Sequence, residues 1–523
     1  MIYKKDPKDT ELFSRADYLI SEPAIELLRK GWHGVFRTSV LELLPVESVE
    51  KKFSPDMGRP TKELFSMIGL IIIKEFFGWT EEQTILEYMT NFGIQYALNV
   101  EADKVSLSKR TLQRYIKMSR EESVSQKTMI DITRTFLKNL NICIKEQRLD
   151  STHIFSNMAH FSRRQLLFTI IQRFLVQVKR HNPEKYDKLP NEITSLYVKN
   201  TGWIFAETSP MKTQRNGKIF TSAEQLGYDM QRLIERFGKD EEFNNRTTYL
   251  DLVRVFEEQF EMNDGKAEFR KKTNGKILLN PSDRDAEVGH KGVGYQAQIS
   301  ETCSPENPVQ MIVTASVEGA SSQDQTSFSN VVEKLKEEDH LPETLYADKG
   351  YGSDKNYVSA QNMGVDLCAP APGGSHDKKG LDDCEFDENY LMVKCPAGHK
   401  PMKNKRSKNS YYAIFHVDVC NKCPFKDICA SQKYGKNNRQ FQYDEIKLRS
   451  YNRRKNEASA QFKEKYKKRI GIEGLNGRLK QFTPLRRVRA RGKLAIDNSV
   501  YSILAMHNIK QAARYAQIVE KIG

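Results

Sequence analysis

The 523-residue chain has no apolar run that could span a bilayer. The longest, MIGLIII at 67–73, is stopped by Lys74, far short of the ~20 residues a transmembrane helix needs. No N-terminal stretch joins a basic start to an apolar core, so no secretory signal is expected and the protein is read as cytoplasmic. Cysteine is sparse, at eight residues. Without a secretion signal, the scattered Cys143, Cys303, Cys368 and Cys384 are expected to be reduced thiols rather than parts of a disulfide framework. No internal repeat is found.

What is present is enough apolar residue for a real core, 38% of the chain, and 29% charged residues. The length suits two to four domains. The net charge is +15, and most of it lies in one place. Between Lys447 and Lys493 there are 17 Lys or Arg against three Glu, an excess of 14. A solvated face would mix signs, so a concentrated basic stretch points to a polyanion, most often nucleic acid. The alternative is a basic segment without a dedicated partner.

Apolar spacing of three and four after "GRP" (58–60) predicts packed helices over 58–100, followed by a Ser-capped basic amphipathic helix in 106–116. This all-helical front end, 1–135, fits either a helix-turn-helix DNA reader or a bundle for dimer contacts. An extended segment at 141–155 carries Asp150. Residues 156–280 return to helix and read as an insertion. Strands are expected at 292–300 and 308–319, then a helix at 327–338, a short strand ending at Asp348, a helix at 354–363 and a strand in 365–372. Residues 373–445 are loop-rich and hold a cysteine group. A basic helix and an amphipathic helix at 498–515 follow. Strands alternating with helices indicate an α/β domain around a mixed sheet, assembled from 136–155, 281–372 and 446–523.

The stretch YKKRIGIEGLNGRLKQF (466–482) places Tyr466, Arg469, Glu473 and Lys480 at offsets of three, four and seven, on one helix face. It also carries Gly471, Gly474 and Gly477, each costing about 1 kcal/mol in a helix relative to Ala. Two strand-borne carboxylates, Asp150 and Asp348, with Glu473 on a packed helix, can surround two divalent cations for phosphoryl transfer, Mg²⁺ being suited to few carboxylates and retained waters. In that reading Glu473 is a metal ligand, Arg469 and Lys480 grip phosphates, and Tyr466 donates to a phosphate or stacks on a base. The competing reading is a plain Arg469–Glu473 surface ion pair. Asp283, Asp285 and Glu287 precede a strand and are expected to be solvated loop.

The Tyr-x2-Arg-x3-Glu-x6-Lys pattern resembles the signature around the catalytic glutamate of bacterial insertion-sequence DDE transposases. RLDSTHI (148–154) and YADKGYGS (346–353) resemble that group's two aspartate strands, GHKGVGYQAQIS (289–300) its second strand, and GRP with the helices after it a common N-terminal domain. The resemblance covers most of 58–510. It implies a ribonuclease-H-like core with Asp150, Asp348 and Glu473 as catalytic residues binding two Mg²⁺ or Mn²⁺. It further implies a bacterial, nucleoid-associated enzyme that binds the inverted repeats of its own element, cleaves them and joins the 3′-hydroxyl ends to target DNA. Double-stranded DNA is the partner, and a homodimer is expected at synapsis. Two other readings share these features: a ribonuclease-H-like nuclease without strand joining, and a catalytically idle DNA-binding protein. The helical block 156–280 and the loop-rich block 373–445 depart from the simplest members.

Within 373–445, Cys420-x2-Cys423-x5-Cys429 with Cys395 upstream can supply four thiolates to a structural Zn²⁺ in a zinc-ribbon-like insertion. His399 is an alternative fourth ligand. An iron–sulfur cluster and free thiols are the other readings. Arg486, Arg487, Arg489 and Arg491 follow the glutamate helix and are expected to track DNA phosphates, or else to form a solubility patch.

Overall fold

A computed structural model describes residues 1–9, 20–101, 105–159, 161–197, 223–373, 379–407 and 410–522. The part of the expected helical insertion that falls on 198–222 lies outside the described residues.

The central element is the strand β1, Glu146–Phe155. Its alternation is legible in its burial: Gln147 and Leu149 are fully buried, while Glu146, Arg148 and Asp150 share the opposite, half-buried face. Around it lie β2 (Glu287–Gly289), β3 (Gly292–Thr302), β4 (Ile312–Gly319), β5 (Thr344–Ala347) and β6 (Asp366–Cys368). The sheet runs β2-β3-β1-β5-β6, with β4 also paired to β3. β3 is antiparallel to both β1 and β4, whereas β5 is parallel to β1 and β6 to β5. The parallel pairs are reached through helical crossovers, as parallel pairing requires. The sheet is therefore mixed, as the order of strand and helix patterns predicts.

The apolar run at 67–73 lies in α1, Leu64–Phe77. The Glu63 side chain caps its start by accepting from the Phe65 and Ser66 amides, and Gly78 ends it at φ +66°. A helix apolar on nearly all sides belongs inside, and α1 is buried on every turn. It packs against the long C-terminal helix, Lys493–Ile522, as does Val124–Asn139. The long helix also reaches the sheet. Asn508 accepts from the Ile312 amide at 2.9 Å and donates to the Ile312 carbonyl at 2.8 Å. One hydrophobic core runs through the N-terminal helices, the sheet and the long helix.

Three further clusters sit outside it, the smallest formed by Cys303, Tyr346 and Cys368 with Phe462 and Tyr466 against them. The helices Arg163–His181, Ala223–Phe237 and Thr247–Gln259 enclose Phe174, Phe237 and Phe243. The segment expected to be loop-rich contains, among its loops, a four-stranded antiparallel sheet of Lys403–Ser407, Ser410–His416, Gln432–Tyr434 and Asn438–Asp444. It has its own small core around Tyr411, Phe415, Phe441 and Tyr443. Its polar and charged strand faces hide a period-two pattern that only Tyr411, Ala413 and Phe415 carry clearly.

Candidate active site

The register of the parallel pair places two carboxylates together. Leu149 is level with Ala347, so one residue further along each chain come Asp150 and Asp348, on strands about 4.8 Å apart. Asp348 caps the turn after β5 by accepting from the Gly350 amide at 2.8 Å. A third carboxylate stands beside them: Asp324, in the first turn of the helix Asp324–Glu337. A Cβ on Gly350 would sit 2.9 Å from Asp348 Oδ1 and 3.2 Å from Asp324 Oδ2. Glycine keeps the gap between the two acids open. Gln298 on β3 donates to Asp324 Oδ1 at 3.3 Å and accepts from the buried Tyr351 hydroxyl.

Asp150 is pushed up to about 6. Burial is the largest cause; Arg469 pulls it back down, and Asp348 and Asp324 push it further up. Anions crowded in a half-dry site favour a bound proton, or a cation in its place.

The helix over this face is not continuous. The helix Ala460–Tyr466 ends at Tyr466, Lys467–Arg469 form a 3₁₀ turn, and a second helix, Ile470–Phe482, carries Glu473 and Lys480. The 3₁₀ turn and the second helix are held against the half-buried face of β1 at three alternate positions. Lys468 pairs with Glu146 at 2.6 Å, Arg148 approaches the Lys468 carbonyl at 3.5 Å, and Asn476 donates to Asp150 Oδ2 at 3.2 Å.

The Arg148 guanidinium also pairs with Glu301 on β3, at 2.7 Å from Nε and 2.5 Å from Nη2. Glu301 is fully buried. The guanidinium runs directly under Gly471, where a Cβ would overlap it. That close approach accounts for one of the three helix-weakening glycines. Gly477 meets nothing within 4 Å and Gly474 only the Arg478 side chain, at 3.5 Å, so the structure gives no packing reason for those two.

Glu473 is ion-paired to Arg469 at 2.8 Å, with its own side chain 59% exposed. Arg469 in turn interacts with Asp150, so it links the third expected acid to the first. Tyr466 stacks on Phe462 with centroids 5.6 Å apart. Burial first, then Asp348 and Asp150, push its hydroxyl up to about 12, with Arg469 opposing.

Comparison with known families reaches the part of the chain that carries this helix. Residues 394–513 match the family model described as a transposase DDE domain. The chain carries a transposase DDE domain there. No curated protein and no solved structure matches the chain. The matched segment contains Glu473, the four-cysteine group and the Arg-rich run, while Asp150 and Asp348 precede it. A transposase DDE domain implies a transposase acting on DNA, and such enzymes generally use divalent metals. Among the described residues no three His, Cys, Asp or Glu side chains already stand at metal-site spacing. The donor chemistry nonetheless fits a hard cation. Asp150, Asp348 and Asp324 offer oxygen only, Gly350 leaves room between two of them, and the buried Asn476 Oδ1 has no hydrogen-bond partner.

Asp324 and Asp348 open on a groove lined also by Ser151, next to Asp150, and by His153, His290 and Lys291. Lys291 brings to it a charge opposite to that of the two acids, and the Lys480 ammonium acts on both Lys291 and His153. Lys480 is pulled down, by burial first and then by Lys291. His153 is pulled down to about 4 by burial, then by Lys480 and Lys291. The Arg-rich run leaves Arg486, Arg487, Arg489 and Arg491 exposed. Two of them also brace the fold: Arg489 donates to the Gly78 carbonyl at 3.0 Å and Arg491 to the Asn157 carbonyl at 2.7 Å. Arg487 lies over the Phe155 ring at the end of β1.

Cys395, Cys420, Cys423 and Cys429 line one apolar cavity with His399, Phe415, Phe425 and Phe441. None of the four is in a disulfide. The Phe425 amide donates to Cys423 Sγ at 3.4 Å, and Gly398 turns the chain back at φ +80° after Cys395.

Of the acidic cluster at 283–287, Asp285 is exposed in a turn as expected, Glu287 is half-buried on β2, and Asp283 is not solvated. Asp283 is 1% exposed and accepts from the Ser156 and Tyr295 hydroxyls and the Gly492 amide. It ties the end of β1 to β3 and to the start of the long helix. The sequence reading missed Asp324, Lys291 and Asn476. Asp324 and Lys291 carry no local signal, since only the fold brings them to the groove. Asn476 did carry one: it lies three residues after Glu473, on the same helix face.

Proposed function

We propose that the chain is a DDE transposase of the insertion-sequence type, which binds the terminal inverted repeats of its own element, cleaves them and joins the resulting 3′-hydroxyls to target DNA. The observation that carries this reading is the pairing of Asp150, on the central strand, with Asp348, at the end of its parallel neighbour, beneath the Glu473 helix of a transposase DDE domain. The strand directions also favour a ribonuclease-H-like core: three antiparallel strands, then two parallel to the first.

In this mechanism Asp150, Asp348 and Glu473 hold divalent cations, Mg²⁺ or Mn²⁺. When bound, such a pair activates the attacking water or 3′-hydroxyl and stabilises the leaving oxygen. Arg469 holds Glu473 in reserve. Exchange of that ion pair for a DNA phosphate frees the carboxylate for the metal and the guanidinium for the backbone. Lys480 and Lys291 flank the groove as phosphate contacts, and Tyr466, partly buried, has a hydroxyl that stays protonated to donate. Arg486, Arg487, Arg489 and Arg491 extend the basic track along the duplex. Synapsis of two ends calls for two copies of the chain. Cys395, Cys420, Cys423 and Cys429 hold a structural Zn²⁺ that staples the small insertion sheet.

The test uses a labelled DNA fragment spanning the gene and both flanks, incubated with protein and Mg²⁺ beside Glu473→Gln. Expected are metal-dependent 3′ ends at the repeat boundaries, strand-joining products, and loss of both in the variant while DNA binding persists. Cuts unchanged in Glu473→Gln would remove Glu473 from the chemistry. Cutting without joining would favour a nuclease. Binding without cutting by either protein would favour an idle DNA-binding protein.

A further inference from the structure

Asn476 is 8% exposed and lies one helical turn beyond Glu473. Its amide is used only in half. Nδ2 donates to Asp150 Oδ2 at 3.2 Å, while Oδ1 is buried and has no partner. A buried amide with an orphaned acceptor is costly, and an aliphatic side chain of the same volume would fill the space without that cost. Its neighbours on the buried face are indeed aliphatic: Ile472, Leu475 and Leu479. The polar exception occurs where the helix crosses the Asp150 carboxylate.

Two consequences follow from the geometry. The Nδ2 bond occupies one Asp150 oxygen and fixes the plane of the carboxylate, so the other oxygen has a defined direction. Oδ1 is buried too, on a side chain bonded to Asp150, whose charge Asp348 and Asp324 oppose. What would satisfy it is a hydrogen-bond donor that arrives with a cation, namely a metal-bound water. Groups that orient metal-binding carboxylates in this way commonly change metal affinity or activity by about 10–100-fold when removed.

We infer that Asn476 is a positioning residue of the cation site: it orients Asp150 through Nδ2 and accepts, through Oδ1, from a water carried by the divalent cation. The inference rests on the proposed role of Asp150 as a cation ligand.

The test measures Mn²⁺ binding to the intact protein without DNA, by the loss of the free-ion electron paramagnetic resonance signal. Wild type is compared with Asn476→Leu, Asn476→Asp and Asp150→Asn. Asn476→Leu is expected to bind Mn²⁺ about 10–100-fold more weakly. Asn476→Asp keeps an acceptor but has no Nδ2 donor for Asp150, and is expected to fall between wild type and Asn476→Leu. A loss graded by the polar atoms retained, at unchanged melting temperature, would not come from a merely structural role. Metal-independent DNA binding in EDTA and melting temperature are followed in parallel, and in cleavage assays Asn476→Leu should need more Mg²⁺ for half-maximal rate. If Asp150→Asn binds Mn²⁺ like wild type, the site itself is misplaced. If Asp150→Asn loses Mn²⁺ while Asn476→Leu keeps wild-type affinity, the role of Asn476 alone is overturned. Should Asn476→Leu not fold, wild-type Mn²⁺ affinity in a folded Asn476→Asp would overturn it equally.

Discussion

Replacing Gly471 with alanine separates two effects that act in opposite directions. Any substituted Gly gains about 1 kcal/mol of helix propensity. At Gly471, however, the new methyl lands on the Arg148 guanidinium. Arginine is flexible and could swing aside, but this one is pinned by Glu301, a fully buried carboxylate. Either the guanidinium leaves Glu301, or the Glu473 helix lifts off β1. Breaking a buried pair from one side costs about 3–5 kcal/mol, so the net loss is roughly 2–4 kcal/mol. For a cooperative unit of some 200 residues this lowers the melting temperature by about 5–10 °C. The comparison is Gly477→Ala, where nothing lies within 4 Å and only the helix gain remains. Burial already pushes the Glu301 carboxyl up, with Arg148 opposing. Without the guanidinium its folded pKa rises further, so the folded state of the variant holds a proton that the unfolded chain releases. Stability of that kind is lost as pH rises through the window between the unfolded and folded values. The gap between Gly471→Ala and wild type should therefore widen from pH 5 to pH 8. Melting curves followed by circular dichroism at both pH values test this. Gly471→Ala melting at or above Gly477→Ala at pH 8 would refute the role given to the Arg148–Glu301 pair.

Gly350→Val fills the gap between Asp348 and Asp324, and should lower DNA cleavage by on the order of 100-fold with DNA binding in EDTA intact; wild-type cleavage would show that the gap is not used. Protein purified without chelator should carry close to one zinc per chain by elemental analysis, and Cys423→Ser should lose it along with stability of the insertion; iron or no metal in the wild type would dismiss the zinc assignment. His507 is pulled down to about 4, by burial first and then by Arg478 and Lys510. The unfolded chain takes up a proton below about 6.5 that the folded state refuses, so stability is present above that pH and lost toward 4, by about 2 kcal/mol at pH 5. Denaturant midpoints at pH 7 and 5 check this, and His507→Asn should flatten the difference.

Much of the sheet was legible because its strands are bounded by strong local signals. Pro308 and Gly319 bracket a β-branched run, and Gly350 and Gly352 break the chain just after Asp348. The Cys-rich insertion was not legible as a sheet. Its strands are short and carry charge on the face that the period-two pattern would leave polar in any loop, as in Lys403–Ser407. The acids illustrate the same limit. Asp150 and Asp348 were marked by strand context, but Asp283 and Asp324 look alike in sequence, each amid small polar residues. Only the long-range fold buries one under Tyr295 as a structural hub and turns the other toward the groove.

The glycine-rich helix does two jobs that the sequence does not separate. A face bearing Tyr466, Arg469, Glu473 and Lys480 suggested one continuous helix presenting four functional groups. The 3₁₀ turn at Lys467–Arg469 breaks that continuity, and Glu473 points to Arg469 at the surface, not to the aspartates. The residue that reaches Asp150 from this helix is Asn476. The seat that allows it is Gly471, because a guanidinium two residues before Asp150 on β1 must pass beneath the helix to neutralise Glu301. The ion-pair reading of Arg469 and Glu473 and the functional reading are therefore not alternatives. The pair holds the helix's acid within one turn of Asn476, beside an arginine that already senses Asp150. A cation and a phosphate arriving together would replace the partner of each: the cation takes Arg469's place on Glu473, and the phosphate takes Glu473's place on Arg469.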